Sequence, residues 1–164
     1  MTLTLILGGV RSGKSAYAEQ LIAGPAVYVA TLRADDEESR LRIERHRARR
    51  PAHWRTVEAV DQIAKRVAAE PDGTVLLDGF GLVVGAALET AAPAQRVAAE
   101  VAGIVEASRH RDWIVVSEEV GLSLVAPTPL GRQFQDLLGE ANQALARAAR
   151  RVVLVVAGRT VELA

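Results

Sequence analysis

Cysteine is absent from the 164 residues. That excludes disulfides, a thiolate nucleophile and a cysteine-based zinc site. Aromatic residues make up only 4% of the chain, which leaves little for stacking on bases. Charge of one sign is lacking too: Lys plus Arg and Asp plus Glu are 20 each, so no global field favours nucleic acid or an anionic membrane. Lysine itself is scarce. Lys14 and Lys65 are the two, and the other cations are arginines, which suit phosphate or carboxylate contacts. No apolar run approaches the ~18 residues needed to cross a bilayer. The sequence opens on an apolar strand pattern, not on a basic segment followed by an apolar one and a cleavage site. A cytoplasmic protein with no membrane span and no nucleic-acid partner is therefore expected. Aliphatic residues are what the chain has in plenty: it is 49% hydrophobic, much of it Ala, Val and Leu. At this length the expectation is a single domain over residues 1–164 with a sizeable core.

The most informative stretch is Gly8-Gly9-Val10-Arg11-Ser12-Gly13-Lys14-Ser15. It follows the apolar run Leu3–Leu7 and leads into a helical pattern from Ala16, so it reads as strand, glycine loop, helix. It matches the phosphate-loop pattern G-x-x-x-x-G-K-[ST]. Glycines let backbone N–H groups converge on phosphates without Cβ clashes, and the helix start adds its positive end. Lys14 then reaches the outer phosphates, and the Ser15 hydroxyl suits Mg²⁺. The motif identifies nucleotide phosphates but not the reaction.

Further on, strands are expected at Thr2–Leu7, Ala26–Ala30, Thr74–Asp78, Trp113–Ser117 and Val152–Val156, with a short edge strand at Val161–Leu163. Helices are expected at Lys14–Ala23, Asp35–Arg49, Asp61–Glu70, Pro93–Arg109 and Leu130–Ala149. Ala52–Val57 reads as extended or loop, and Gly79–Gly85 as loop or the glycine-weakened start of a helix. Gly121–Pro129 has the length of a functional lid. Apolar strands alternating with helices predict an α/β, doubly wound, mostly parallel sheet of the phosphate-loop NTPase (RecA-like) kind. Ligands belong at the carboxyl ends of its strands. Those ends carry Gly8–Ser15, Thr31, Asp78, Ser117-Glu118-Glu119 and Gly158.

Asp78 closes an apolar strand, where a carboxylate would hold Mg²⁺ directly or through water; Asp-Gly is also a turn signal. His46 sits in the arginine-rich run Arg40–Arg50. Surrounding guanidinium groups disfavour its protonated form, and a neutral imidazole is a nucleophile that can form a covalent intermediate. By spacing alone, a solvated basic helix with an incidental histidine is the better fit. Glu118 and Glu119 are either a second carboxylate near the phosphates or solvated loop acids.

Several segments together resemble the bifunctional adenosylcobinamide kinase / adenosylcobinamide-phosphate guanylyltransferase family. They are Gly8–Ser15, Tyr28–Thr31, the block Arg42-Ile43-Glu44-Arg45-His46-Arg47-Ala48-Arg49-Arg50-Pro51-Ala52-His53-Trp54-Arg55-Thr56, Glu119-Val120-Gly121, Phe134-Gln135-Asp136, Asn142-Gln143 and Val152–Gly158. The resemblance implies two reactions. ATP or GTP phosphorylates adenosylcobinamide. GTP then gives GMP to a histidine, which falls on His46, and the GMP passes to adenosylcobinamide phosphate. It implies catalytic roles for His46 and Lys14, and Mg²⁺ on Ser15 and Asp78. It implies nucleotide contacts at Gly8, Gly9, Val10, Arg11, Ser12, Gly13, Lys14, Ser15, Thr31, Leu32, Arg33, Arg47, Ala48, Arg49, Arg50, Glu58 and Asp78. It also implies a cytoplasmic homo-oligomer, a trimer. The chain departs from the family's pattern in three places. Gly79–Gly85 lacks the Asn-containing polar helix usual after Asp78, Glu118 stands where the family has Asn, and Ala126-Pro127-Thr128 replaces Pro-Glu-Asn.

Two rival classes make different predictions. A phosphate-loop switch binding a protein partner would hydrolyse nucleotide without a covalent adduct. A nucleic-acid module using Arg40–Arg50 would bind in a salt-sensitive way.

Overall fold

The computed structural model describes residues 1–32 and 36–163; within the helix 37–49 the side chains of Glu38, Arg42, Arg45, His46 and Arg49 lie outside the described residues. The first strand, β1 (Leu3–Gly8), leads through the glycine loop into α1 (Lys14–Gln20), β2 (Ala26–Ala30), α2 (Glu37–Arg49) and β3 (Arg55–Glu58). Then follow α3 (Ile63–Val67), β4 (Thr74–Asp78), α4 (Phe80–Leu88), α5 (Pro93–Ala107) and β5 (Trp113–Glu118). The chain closes with α6 (Pro129–Ala148), β6 (Arg151–Val156) and β7 (Arg159–Leu163).

The strands form a seven-stranded sheet ordered β3-β2-β4-β5-β1-β6-β7. Every neighbouring pair is parallel except the terminal hairpin β6–β7. This is the mostly parallel, doubly wound sheet expected from the sequence. Its central strands are buried on both faces, as helix crossovers require. The period-two alternation separates two cores. Leu3, Leu5, Val27, Val29, Val75, Leu77, Trp113 and Val115 face the side covered by α3 to α6. Ile6, Ala26, Tyr28, Leu76, Ile114 and Val116 face the side of α1, together with Ala18 and Trp54.

Two readings left open are resolved, and some element bounds need correction. The segment 52–57 read as extended or loop contains a true strand, β3, pairing in parallel with β2. The segment 79–85 read as a loop or weakened helix start is α4, which runs to Leu88 because Phe80, Val83, Val84 and Ala87 are buried. Two helices are shorter than expected: α1 ends at Gln20 and α3 covers only Ile63–Val67. The edge strand begins at Arg159, because Ala157 and Gly158 both take positive φ (50° and 74°) in a tight hairpin turn. The start of α2 is set by Asp36, whose carboxylate accepts the Ser39 N–H at 2.6 Å; Asp35 lies outside the described residues.

Candidate active site

Parallel strands present their carboxyl ends together, and the sheet order sets β5 between β1 and β4. The glycine loop leaves β1, Asp78 ends β4 and Glu118 ends β5. The loop is tied down on both sides. The Glu119 N–H donates to the Gly8 carbonyl at 3.1 Å, and the Gly158 N–H from the terminal hairpin donates to the Ser12 carbonyl at 2.8 Å. Gly13 takes φ 97°, and a Cβ there would also sit 3.4 Å from the Gly158 backbone. A residue with a side chain would be strained at that position.

Lys14 is buried, with 6% of its surface exposed. Its ammonium donates to the Gly9 carbonyl at 3.3 Å and faces Glu118 Oε1 at 3.7 Å. Glu118 is held from two directions. Its Oε2 accepts the Gly81 N–H at 2.9 Å, in the first turn of α4. Asn142 of α6 donates to the Glu118 carbonyl at 3.0 Å and accepts from the Ser117 hydroxyl at 2.6 Å. A carboxylate at a helix start is favoured by the unpaired N–H groups there. Any side chain on residue 81 would run into the Glu118 carboxylate. Two of the departures from the family pattern, a glycine-rich α4 and a glutamate at 118, are thus parts of one contact.

Asp78 is the second carboxylate. Ser15 Oγ donates to its Oδ1 at 2.8 Å, and Tyr28 Oη donates to its Oδ2 at 2.6 Å. Burial first, and then the Asp78 charge, push the Tyr28 phenol well above its ordinary range, so it stays a donor. Thr31 Oγ1 donates to the carbonyls of Asp78 and Gly79 at 2.8 and 3.1 Å, locking the end of β2 to the end of β4. Arg50, just past α2, lies over the Tyr28 ring at 3.4 Å from its centroid. Its Nη1 donates to Thr56 Oγ1 at 3.2 Å, and its Nε is buried with no hydrogen-bond partner among the described residues.

These groups surround an open cleft lined by Lys14, Ser15, Tyr28, Ala30, Thr31 and Leu32. Ile43, Arg50, Asp78, Gly79, Leu82 and Glu118 complete the wall. Of the residues singled out in the sequence, Lys14, Ser15, Thr31, Leu32, Arg50 and Asp78 therefore meet at one cleft. Gly8 and Ser12 are buried beneath the loop, while Gly9, Val10, Arg11 and Gly13 form its exposed crest. Arg47 and Ala48 are exposed on α2, and Glu58 is exposed at the end of β3, outside the cleft lining. Arg33 and the side chains of His46 and Arg49 lie outside the described residues. Glu119 is no cleft carboxylate: it accepts the N–H groups of Gly121 and Leu122, both at 3.0 Å, and shapes the next loop. Tyr28 went unread as a site residue. Its signal was a lone hydroxyl-bearing aromatic in an otherwise aliphatic buried strand, where a phenol needs a partner.

The sequence matches the family model described as cobinamide kinase / cobinamide phosphate guanyltransferase over residues 4–163. The protein belongs to that family. It is an enzyme of cobalamin biosynthesis, a kinase and nucleotidyltransferase built on a phosphate-loop, nucleotide-binding fold. Among similar proteins, the bifunctional adenosylcobalamin biosynthesis protein of Escherichia coli (strain K12) is 36% identical over 179 residues, covering 98% of this chain and 99% of its own. The protein of the same description from Pseudomonas aeruginosa is 43% identical over 161 residues, covering 94% and 92%. Solved structures agree on the fold alone. The RadB recombinase superposes with a TM-score of 0.54 at 14% identity, over 93% of this chain and 73% of that one. A KaiC-like protein from Pyrococcus horikoshii gives 0.53 at 18% identity, over 93% and 70%. No helix among the described residues is long and apolar enough to cross a membrane.

Proposed function

We propose that this enzyme carries out both reactions of its family: it phosphorylates adenosylcobinamide with ATP or GTP, then moves GMP from GTP through a covalent His46 adduct to adenosylcobinamide phosphate. The products are adenosylcobinamide-GDP and pyrophosphate. The observation that carries this reading is the convergence of Lys14, Ser15 and Asp78 with the end of α2 on one cleft. Position 46 falls three residues after Ile43 and four before Arg50, and both of those line the cleft. Ile43 is on α2 and Arg50 just past its end, so the helix that carries the histidine forms a wall of the cavity beside the phosphate loop.

In the guanylyl step a His46 nitrogen attacks the α-phosphorus, and the bond to pyrophosphate breaks. An oxygen of the corrinoid phosphate then attacks the same phosphorus, and the phosphorus–nitrogen bond breaks. Lys14 and the arginines near the cleft stabilise charge on the transferred group, usually the largest contribution in phosphoryl chemistry. Ser15 and Asp78 fit Mg²⁺: a hydroxyl and a carboxylate oxygen 2.8 Å apart are the hard oxygen donors it takes beside nucleotide phosphates. Mg²⁺ would neutralise phosphate charge there. Nucleotide contacts extend, in this reading, along Gly8–Ser15 and to Thr31, Leu32, Arg33, Arg47, Ala48, Arg49, Arg50 and Glu58. The protein works in the cytoplasm as a homo-oligomer, a trimer. The test is to supply GTP and adenosylcobinamide phosphate to the purified protein. Formation of adenosylcobinamide-GDP with stoichiometric pyrophosphate supports the proposal; hydrolysis of GTP alone refutes it.

A further inference from the structure

We propose that Tyr28 is a positioning residue that ties the carboxylate opposite the phosphate loop to the end of helix α2. Three contacts carry this. Tyr28 Oη donates to Asp78 Oδ2 at 2.6 Å, leaving Oδ1 to receive Ser15 Oγ at 2.8 Å. The other end of the same side chain is the platform for Arg50, 3.4 Å above the ring centroid. The ring itself is fixed, because Tyr28 is only 3% exposed and packs in the core beneath α1. One rigid side chain therefore spans from the magnesium-type donor pair to the residue where α2 stops.

The physical consequence is orientational. A carboxylate is free to turn about its last bond; two donors, one on each oxygen, remove that freedom. Partners of this kind behind a metal ligand are typically worth 10–100-fold in metal affinity. On the other side, an arginine stacked on a buried aromatic face gains from the ring's negative quadrupole. Arg50 caps α2 with extended backbone and precedes Pro51, so α2 ends where that guanidinium is seated. Asp78 and the seat of α2 thus share one fixed anchor.

This inference rests on the Mg²⁺ and His46 assignments proposed above, and its test separates the two. Binding of a fluorescent guanine nucleotide is titrated against Mg²⁺ for wild type and Tyr28→Phe, with melting temperature measured in parallel. Tyr28→Phe keeps the ring beneath Arg50 and loses only the hydroxyl. The expected result is a half-saturating Mg²⁺ concentration raised about tenfold. Tyr28→Leu, which removes the platform as well, should show the same Mg²⁺ shift and also lose about tenfold in the rate of protein labelling by α-labelled GTP. A packing role alone would lower the melting temperature of Tyr28→Phe and leave its Mg²⁺ midpoint where wild type has it; that result overturns the inference. Wild-type binding that ignores Mg²⁺ overturns both the inference and the metal assignment beneath it.

Discussion

Replacing Gly8 by alanine tests whether the first glycine of the loop serves the phosphates or the sheet. Its φ is not in the left-handed region, so conformational freedom is not the issue. Space is. A Cβ on residue 8 would lie 2.5 Å from Ser12 Oγ and 2.6 Å from the carbonyl oxygen of Val155. The serine hydroxyl can rotate away; the carbonyl cannot, because Val155 is held beside Gly8 in the β1–β6 ladder. The clash must be absorbed by moving backbone in the centre of the sheet. Overpacking of this kind costs about 1–3 kcal/mol. For a chain of this size each kcal/mol lowers the melting temperature by roughly 2–4 °C, so a drop of roughly 2–12 °C is expected. Because the displaced strand end carries the phosphate loop, nucleotide affinity should fall at least about tenfold, or ~1.4 kcal/mol. Adding Ser12→Ala should not restore it, since the Val155 carbonyl is still in place. Gly9→Ala is the control: nothing lies within 4 Å of a Cβ there, and its stability should stay within about 0.5 kcal/mol of wild type. Thermal melts with nucleotide titrations decide the matter. A Gly8→Ala protein that melts with wild type and binds nucleotide as well would refute the reasoning.

Two glycines of α4 should respond with opposite signs. Gly85→Ala meets nothing within 4 Å and should stabilise by roughly 0.5–1 kcal/mol through helix propensity, whereas Gly81→Ala displaces the Glu118 carboxylate from the helix start and should be net destabilising in a denaturant titration. Lys14→Ala removes the buried cation of the cleft and should lower both kinase and guanylyl-transfer turnover by at least about a hundredfold, measured with each phosphoryl acceptor separately. The N–H bond from Ser39 holds the Asp36 carboxyl below its usual range, so the cap contribution is present above the ordinary aspartate value of about 3.9 and fades as the pH falls through the lowered one. Amide exchange in the first turn of α2 should accelerate on acidification through that window, and Asp36→Ala should abolish the pH dependence.

Much of this was legible because the signals were local. The loop, Lys14 and Ser15 follow from eight consecutive residues, and the buried strands announce themselves as short aliphatic runs. Asp78 was readable from its place at the end of one of them. What escaped depends on tertiary context. The strand β3 carries Arg55, Thr56 and Glu58, all exposed, with only Val57 partly buried, so as an edge strand it lacks the aliphatic run that betrays the central ones. The helix α4 has glycine at 81 and 85, which propensity disfavours, yet burial of Phe80, Val83 and Val84 outweighs that bias. Adjacent Glu118 and Glu119 are indistinguishable in sequence; strand geometry turns one toward Lys14 and leaves the other to the next loop. The Tyr28–Asp78 bond joins residues separated by 50 positions, and no spacing rule reaches across that distance.

The account turns on His46 as the carrier of GMP, and labelling tests it most directly. Protein incubated with GTP labelled at the α-phosphate should retain one label per chain, labile to acid and stable to alkali, in the peptide containing His46. GTP labelled at the γ-phosphate should leave none, and His46→Ala should lose the α-label while still binding nucleotide. An α-label that persists in His46→Ala, or a wild-type protein that forms adenosylcobinamide-GDP without ever becoming labelled, would contradict it.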